Sequence, residues 1–434
     1  MDTPFSAIGR VAALPGGRNP RRLALYWQDR LLLAEAEPGD CRALAEGDLV
    51  TFTLAAPDRF AAVTRLGGAK AAGDSSGAGA GGDALRWRSP GGLAGRMARL
   101  RLRHRALTAV RGWFDEEGFL EVDTPCLVRA PSPEPQFEPF GVGGEFLIAS
   151  PEFQLKRMLV GGFERIYRLG PAFRRGEVGR LHNPEFTLLE WYRVGAGLDD
   201  LARDLESLLG ALLPLAEALD GEGRLAVPAD PFLAETLPAG ESADARVKLT
   251  PPFRREPVAA LFREQLGLEI AGITGGRELR EAARRAGLAG AADLPTDFER
   301  VFFVLWNRFE HRLGREAPLL VVDWPAPLAS LARLKPEEPT VAERMELLVA
   351  GIELANGFAE LTDPVEQRRR FERDLAGRRA RGLPVPPLDE RFLGALAEGM
   401  PPAAGMALGF DRLVMLLAGA GSIAEVLPFA WDER

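Results

Sequence analysis

Two carboxylates seven residues apart stand in residues 351–361, the stretch of this chain best suited to chemistry. If the stretch is a strand, its odd and even positions face opposite sides. A regular strand would therefore separate Glu353 from Glu360, unless a bulge at Gly357 brings them to one site. Beside Asn356, the two acids could hold Mg²⁺ on a polyphosphate together with a cationic substrate. The alternative is a sheet strand with an acidic rim.

The segment 173–186, Phe-Arg-Arg-Gly-Glu-Val-Gly-Arg-Leu-His-Asn-Pro-Glu-Phe, offers a second group of candidate residues. It reads as a hairpin loop that carries Arg174, Arg180 and His182. Arginine can grip phosphate oxygens with two parallel hydrogen bonds, and Phe186 could stack on a base. The alternative is an ordinary charged hairpin.

A third segment, 405–416, reads Gly-Met-Ala-Leu-Gly-Phe-Asp-Arg-Leu-Val-Met-Leu. Its glycines allow a ligand to approach the backbone closely. Arg412 opens an apolar helix and could lie flat on an adenine ring. Alone, the segment could be an amphipathic helix with one polar residue.

Two common signatures are missing. The sequence has no G-x-x-x-x-G-K-[ST] loop and no G-x-G-x-x-G between a strand and a helix. Its three histidines lie far apart, which argues against a multi-histidine metal site. ATP, if it binds, must be held in another way.

Composition predicts a cytoplasmic globular protein. The chain has 434 residues, 46% hydrophobic and 27% charged, enough for a large core and a smaller domain. Two cysteines make a disulfide framework improbable, and no signal peptide or membrane-spanning run is found. A net charge of −8 argues against nonspecific nucleic-acid binding by the whole molecule.

The chain divides into three parts. Residues 1–66 contain short apolar runs separated by turn clusters, which predicts a small five-stranded barrel. Residues 67–95 form a Gly-rich flexible linker, and residues 96–434 a larger domain. The phrase at 45–50 resembles the entry to an OB-fold, which would suggest nucleic-acid binding, although aromatic residues are few.

The larger domain is predicted to be α+β, because its strands are separated by several helices without regular βαβ alternation. Its first helix carries arginines at 96, 99, 101, 103 and 105. Most such runs form a solvent-exposed helix face. The more specific alternative is a surface on which an acidic partner docks.

Together these segments resemble the three motifs of class II aminoacyl-tRNA synthetases. Residues 118–125 resemble motif 1, residues 174–186 motif 2 and residues 405–416 motif 3. The resemblance runs from about Arg96 to the C-terminus and implies the fold of that catalytic domain, an antiparallel sheet flanked by helices. The phrases at 150–152, 182–186 and 190–192, with the strand from Glu353 to Glu360, are similar to the lysine branch.

Three details are closer to the elongation factor P lysine ligase family, a group of truncated synthetase paralogues. They are Ala407 in motif 3, where lysyl-tRNA synthetases usually have glycine, Trp191, and the run 371–384. That family implies activation of lysine or (R)-β-lysine with ATP, and transfer to a lysine side chain of elongation factor P. It normally lacks an N-terminal domain, so residues 1–95 are a departure.

The resemblance also implies roles for individual residues. The predicted substrate pocket comprises Ser150, Glu152, Glu190, Tyr192, Asn356, Glu360 and Ala407. The predicted ATP site comprises Arg174, Glu177, His182, Asn183, Phe186, Glu353, Leu354, Gly409 and Arg412. Arg174 and Arg412 are the expected catalytic residues, and Glu353 and Glu360 the expected Mg²⁺ ligands.

One position departs from the motif 2 pattern, Phe-Arg-x-Glu. Here the acid comes one residue late, at Glu177, after Gly176. The alternatives are a compact lysyl-tRNA synthetase with residues 1–66 as a reduced anticodon reader, and an inactive paralogue that binds or regulates. A homodimer is also expected, with Leu107, Val110, Phe114 and Phe119 supplying apolar area.

Overall fold

The computed structural model describes residues 5–12, 22–27, 30–35, 44, 48–56, 59–67, 90–135, 138–228 and 244–433. The chain divides into two compact units. One comprises residues 1–102 with Glu433, and the other comprises residues 103–432 with Arg434.

Five strands of the first unit close into a barrel in the order β1-β2-β3-β5-β4. They are β1 (Phe5–Ala12), β2 (Arg22–Trp27), β3 (Arg30–Glu35), β4 (Leu49–Ala56) and β5 (Arg59–Gly67). The β3–β5 pair is parallel, and the other pairs are antiparallel. Inside, Leu25, Val50 and Phe52 are buried, and Asp48 pairs with Arg65 at 3.0 Å.

Helix α1 (Pro90–Glu116) begins with proline, a residue that suits the first turn because that turn needs no amide donor there. The last six residues of the predicted linker, 90–95, therefore belong to this helix. Residues 68–89 of the predicted linker lie outside the described part of the chain.

The second unit is built on an eight-stranded sheet in the order β14-β15-β16-β17-β18-β11-β10-β6. The pairs β14–β15 and β10–β6 are parallel, and the five other pairs are antiparallel. Its members are β6 (Leu120–Glu121), β10 (Arg165–Phe173), β11 (Glu185–Val194), β14 (Arg254–Pro257), β15 (Leu319–Pro325), β16 (Val341–Val349), β17 (Ile352–Ala359) and β18 (Ala403–Gly409). Two small sheets contain β7 (Leu127–Val128), β8 (Gly141–Val142) and β9 (Glu145–Leu147), and β12 (Leu225–Val227) with β13 (Ala245–Val247).

Eight further helices accompany the described strands. They are α2 (Glu152–Val160), α3 (Leu198–Leu212), α4 (Val258–Leu266), α5 (Gly276–Arg285), α6 (Phe298–Trp306), α7 (Pro364–Ala380), α8 (Glu390–Gly399) and α9 (Phe410–Leu417). Helix α2 packs against α8 through stacked Phe153 and Phe392 rings, 4.5 Å apart. The mixed sheet and flanking helices match the predicted class of fold.

One face of the central sheet is covered by an aromatic cluster. Phe114 of α1 stacks on Tyr167 at 4.2 Å and meets Trp191 edge-on at 5.6 Å. Phe114 and Val110 have no exposed surface, and Phe119 is also buried. These residues are core residues within one chain, so the predicted dimer surface cannot be built from them.

Several arginines of α1 form internal ion pairs rather than a solvated row. Arg96 pairs with Glu433 at 2.9 Å, and both side chains are buried. Arg103 pairs with the buried Asp411 and donates to Thr187 at 2.7 Å. The arginine run therefore stabilises the fold at these positions, and both sequence readings of it were wrong there.

Within the described ranges, no helix has the length and apolar character needed to span a membrane.

Candidate functional site

The register of four adjacent strands places three polar residues and Ala407 in one row on one face of the sheet. From β16 to β11, Glu346 is opposite Asn356, Asn356 opposite Ala407, and Ala407 opposite Glu190. Directly paired residues on neighbouring strands share a face. The small Ala407 therefore leaves open space between Asn356 and Glu190.

A second row, two residues along each strand, has Phe358 opposite Gly405 and Gly405 opposite Tyr192. A β-carbon at Gly405 would lie 2.2 Å from a ring carbon of Tyr192 and 2.7 Å from Glu360 Oε1. Both distances are far below contact, so this position requires glycine. The missing side chain lets Tyr192 and Glu360 lie close together above β18.

Strand β17 does contain a bulge, but not at the predicted position. The register with β16 shifts between Leu347 and Leu348, so that Leu354 is the extra residue. The shift reverses the alternation of faces and brings Glu353 to the same cavity as Asn356. Gly357 has another role, since a β-carbon there would lie 2.6 Å from Met406 Cε.

Apart from Glu346, the residues of these rows line a cavity of about 630 Å³. Nearly all of the predicted site residues are on its wall. They are Ser150, Glu152, Arg174, Glu177, His182, Asn183, Phe186, Glu190, Tyr192, Glu353, Leu354, Asn356, Ala407, Gly409 and Arg412. The predicted residue that does not line it is Glu360, whose side chain has no exposed surface.

Glu360 is held by a buried lysine. Lys156 Nζ lies 2.5 Å from Glu360 Oε2 and 2.6 Å from Glu152 Oε1, and the lysine side chain is completely buried. Burial lowers the pKa of Lys156, but the two carboxylates outweigh this and raise it above its usual range. The ammonium is therefore charged at neutral pH. Burial, opposed by Lys156, raises the pKa of Glu360 to about 8.

Glu190 is oriented by two hydroxyl groups. Tyr192 donates to Glu190 Oε1 and Ser150 donates to Glu190 Oε2, each at 2.7 Å. Burial and the nearby Glu152 carboxylate raise the pKa of Glu190 to about 7. Such a carboxylate, fixed and short of positive partners, suits an ammonium ligand.

The two acids expected to share a metal ion are not brought together. Strand β17 extends from Ile352 to Ala359, with Glu360 just beyond it. At about 3.3 Å per residue, seven residues separate the two backbone positions by roughly 20 Å. Two other acids lie near Glu353, namely Glu346 and Glu310. Burial raises the pKa of Glu346 to about 8, with Arg344 opposing the effect and Glu353 adding to it.

Around the 174–186 loop, Arg174 lies over the ring of Phe186, with its guanidinium carbon 5.3 Å from the ring centre. The late acid, Glu177, follows Gly176, whose φ of +80° favours glycine. Glu177 comes within 3.8 Å of Arg174. The displaced acid therefore still reaches the cavity.

Arg412 connects three segments that are far apart in sequence. Its guanidinium donates to the carbonyl of Leu181 at 3.2 Å and to that of Glu353 at 2.6 Å. It also lies 2.8 Å from His182 Nε2. Burial, Arg412 and Arg174 lower the pKa of His182 to about 4, so the imidazole is neutral and accepts this hydrogen bond.

Asn183 is occupied within the chain. Its amide donates to the carbonyl of Glu185 at 2.5 Å, and its oxygen accepts from the backbone of Trp431 at 2.9 Å. Its observed role is to hold the loop against the C-terminal segment.

Lys156 and Glu346 are the site residues that sequence reasoning missed. Lys156 follows Glu152 by four residues on a helix, a spacing at which opposite charges meet. The chain has only four lysines among its 54 basic residues, which also marks this one. Glu346 precedes Glu353 by seven residues across a turn, and only the strand pairing shows that they meet.

The family model described as tRNA synthetases class II (D, K and N) matches residues 94–433. Proteins named elongation factor P–(R)-β-lysine ligase from Salmonella paratyphi A, Salmonella dublin and Salmonella heidelberg are each 38% identical over 339 residues. Each match covers 75% of this chain and 93% of the relative. The chain belongs to the class II tRNA synthetase family.

The Arg412–His182 contact predicts an unusual histidine titration. In protein labelled with ¹³C-histidine, the His182 signal, assigned with His182→Gln, should stay at its neutral position from pH 8 down to pH 5.5. Arg412→Met removes one positive neighbour and should raise the pKa of His182. A His182 signal that titrates near its ordinary value in the unsubstituted protein would contradict the observed arrangement.

Proposed function

We propose that this protein is an ATP-dependent ligase that activates lysine or (R)-β-lysine and transfers it to a lysine side chain of elongation factor P. The observation that carries the proposal is the pairing of two sites in one cavity. Glu190, with its two hydroxyl donors, lies in the same cavity as Arg174 and Arg412. The names of the relatives support the acceptor.

In the first step, the carboxylate of the amino acid attacks the α-phosphorus of ATP. The new bond gives an aminoacyl adenylate, and pyrophosphate leaves. Arg174 would neutralise charge that develops on the α-phosphate, while Glu190 and Tyr192 hold the substrate by its ammonium group. Catalysis then comes from positioning and charge neutralisation, without a side-chain nucleophile.

In the second step, the ε-amine of the acceptor lysine attacks the adenylate carbonyl carbon. An amide forms, AMP leaves and the amine loses a proton.

ATP and Mg²⁺ fit the side chains of the other half of the cavity. Phe186 and Arg412 provide an aromatic face and a planar cation for adenine. Glu353 on the cavity wall and the buried Glu346 beside it, which pairs with Arg344, carry carboxylate oxygens, the ligands that Mg²⁺ prefers. Repulsion between Glu353 and Glu346 helps to raise the pKa of Glu346. A divalent cation bound between them would relieve this repulsion. Mg²⁺ would draw charge from the phosphates during the attack.

The two proposed activities differ in the role of the N-terminal unit, which would read the anticodon if the protein charged tRNA. The closed barrel order with a parallel β3–β5 pair supports an OB-like module. The match covers 93% of the relatives' length and the family model begins at residue 94, so little of the relatives remains to correspond to the barrel. We therefore infer that residues 90–434 contain the whole activity, and that the barrel serves another purpose.

We also infer a homodimer, the commonest closed assembly. Strand β6 is at the sheet edge, and its Leu120 is 52% exposed. A contact through this edge would cover that side chain. Sedimentation velocity at micromolar concentration should show a dimer, and Leu120→Glu should shift it towards the monomer. A fully active monomer would contradict the inference.

Arg174→Ala should lower lysine-dependent ATP–pyrophosphate exchange by at least about 100-fold, because it removes positive charge aimed at the reacting phosphate. Arg175→Ala is the matched control, since that exposed neighbour pairs with Glu138 and does not line the cavity. It should exchange at nearly the unsubstituted rate. Normal exchange by folded Arg174→Ala would exclude the assigned phosphate site.

Transfer assays test the proposed acceptor. After activation is measured with each lysine isomer, purified elongation factor P and tRNA are offered separately as acceptors. A protein that begins at Pro90 should keep transfer to elongation factor P within about tenfold of the full chain and charge no tRNA. Efficient tRNA charging by the full chain, lost on truncation, would favour the compact synthetase.

A further inference from the structure

The buried ammonium of Lys156 connects the two sides of the acidic pocket. Glu152 belongs to α2 and Glu360 follows β17, and the lysine lies within 2.6 Å of both. Neither Lys156 nor Glu360 has exposed side-chain surface. The contact therefore lies behind the cavity wall, where a substrate does not replace it.

The charges around this contact do not balance. Three carboxyl groups, Glu152, Glu190 and Glu360, face one ammonium, and burial together with their mutual repulsion raises the pKa of Glu190 and Glu360. Glu134 adds a further negative charge near Glu152. Tyr192 and Ser150 contribute only neutral hydroxyl donors, both to Glu190. Without the lysine, the pKa values of these buried acids would rise further, so they would hold their protons to higher pH.

The residue type is also informative. Of the 54 basic residues in the chain, 50 are arginines, so lysine is a rare choice here. A compact ammonium with three donors can contact two carboxylates in a closed space, whereas a guanidinium is larger and planar. An ammonium therefore suits this closed site better than a guanidinium would.

We propose that Lys156 is a positioning residue for substrate recognition, because its ammonium lies between Glu152 and Glu360 and holds both carboxyl groups in place around the pocket in which Glu190 binds the substrate ammonium. This deepens the proposed function and rests on it. Three carboxyl groups around a single ammonium favour a substrate with a side-chain cation. Lysine recognition here depends on an internal lysine.

The test compares Lys156→Met with Lys335→Met. Lys335 pairs with Asp323 at 2.6 Å outside the cavity lining, so it is a matched lysine–carboxylate control. In ATP–pyrophosphate exchange, Lys156→Met should raise KM for lysine by about 30-fold or more, the effect of losing a charged recognition contact. KM for ATP should stay within about threefold, and Lys335→Met should change neither.

The dependence of Tm on pH shows whether Lys156 acts through its charge or only by filling space. The folded-state pKa values of Glu152 and Glu360 already lie above the unfolded values, and removing the Lys156 ammonium in Lys156→Met would raise them further. Their contribution to stability is then lost as pH rises through the folded values. Relative to the unsubstituted protein, Tm should fall by at least about 3 °C between pH 6 and pH 8.5. The double variant Lys156→Met, Glu360→Gln should recover most of this loss while its KM for lysine stays high.

The outcomes distinguish the two levels of the proposal. Folded Lys156→Met with a nearly unchanged KM for lysine would overturn the role of Lys156. So would KM values for lysine and ATP that rise together with an equal loss of Tm at every pH. If Lys156→Met does not fold, the double variant gives the same KM comparison. Failure of the unsubstituted protein to exchange with lysine would refute the proposed function, and the Tm comparison would still decide the pairing.

Discussion

Carboxylates that are buried close together repel one another and lose their hydration, so each needs a partner or a proton. Glu152, Glu190 and Glu360 form such a group on one side of the central sheet. The chain compensates it with one ammonium from α2 and two hydroxyl groups, those of Ser150 and Tyr192. The compensation is incomplete, as the raised pKa values of Glu190 and Glu360 indicate. A cationic ligand would complete it, and the same deficit that costs stability therefore provides binding.

The sheet can carry this group only because small residues stand between the acids. Ala407 lies between Asn356 and Glu190 in the strand register, and Gly405 leaves room for Tyr192 and Glu360. The opposite face is filled by aromatic rings, among them Trp191, which is completely buried. The alternation of side chains along β11 thus separates an apolar face of the sheet from a charged one. Trp191 packs in the core, whereas the adjacent Glu190 lines the cavity.

Much of the fold class and most of the cavity wall could be predicted from sequence. In motifs such as 405–416, the same few residues specify both a local backbone structure and the polar side chain that it carries. What failed were predictions that depend on side-chain partners. The bulge was placed at Gly357 since glycine often marks one, but packing against Met406 explains that glycine and the extra residue is Leu354. Phe114 was assigned to an interface, yet its neighbours come from the sheet of its own chain.

The assignment of Glu353 and Glu360 to one metal ion failed for a related reason. A bulge changes which face a side chain occupies but does not shorten a strand enough to bring its ends together. The separation along β17 could have been estimated from sequence, whereas the identity of the acid beside Glu353 required the pairing of β16 with β17.

The half of the cavity that is proposed to bind ATP has a different organisation, because one cation connects its parts. Arg412 contacts Leu181, His182 and Glu353, which belong to segments separated by more than 150 residues of sequence. A guanidinium has five donors in a fixed plane, so satisfying two carbonyls and an imidazole fixes their relative positions. The lowered pKa of His182 keeps that imidazole an acceptor across the physiological range. The groups proposed to bind phosphate, such as Arg174, are therefore arranged by contacts within the protein, and a polyphosphate would not have to assemble them.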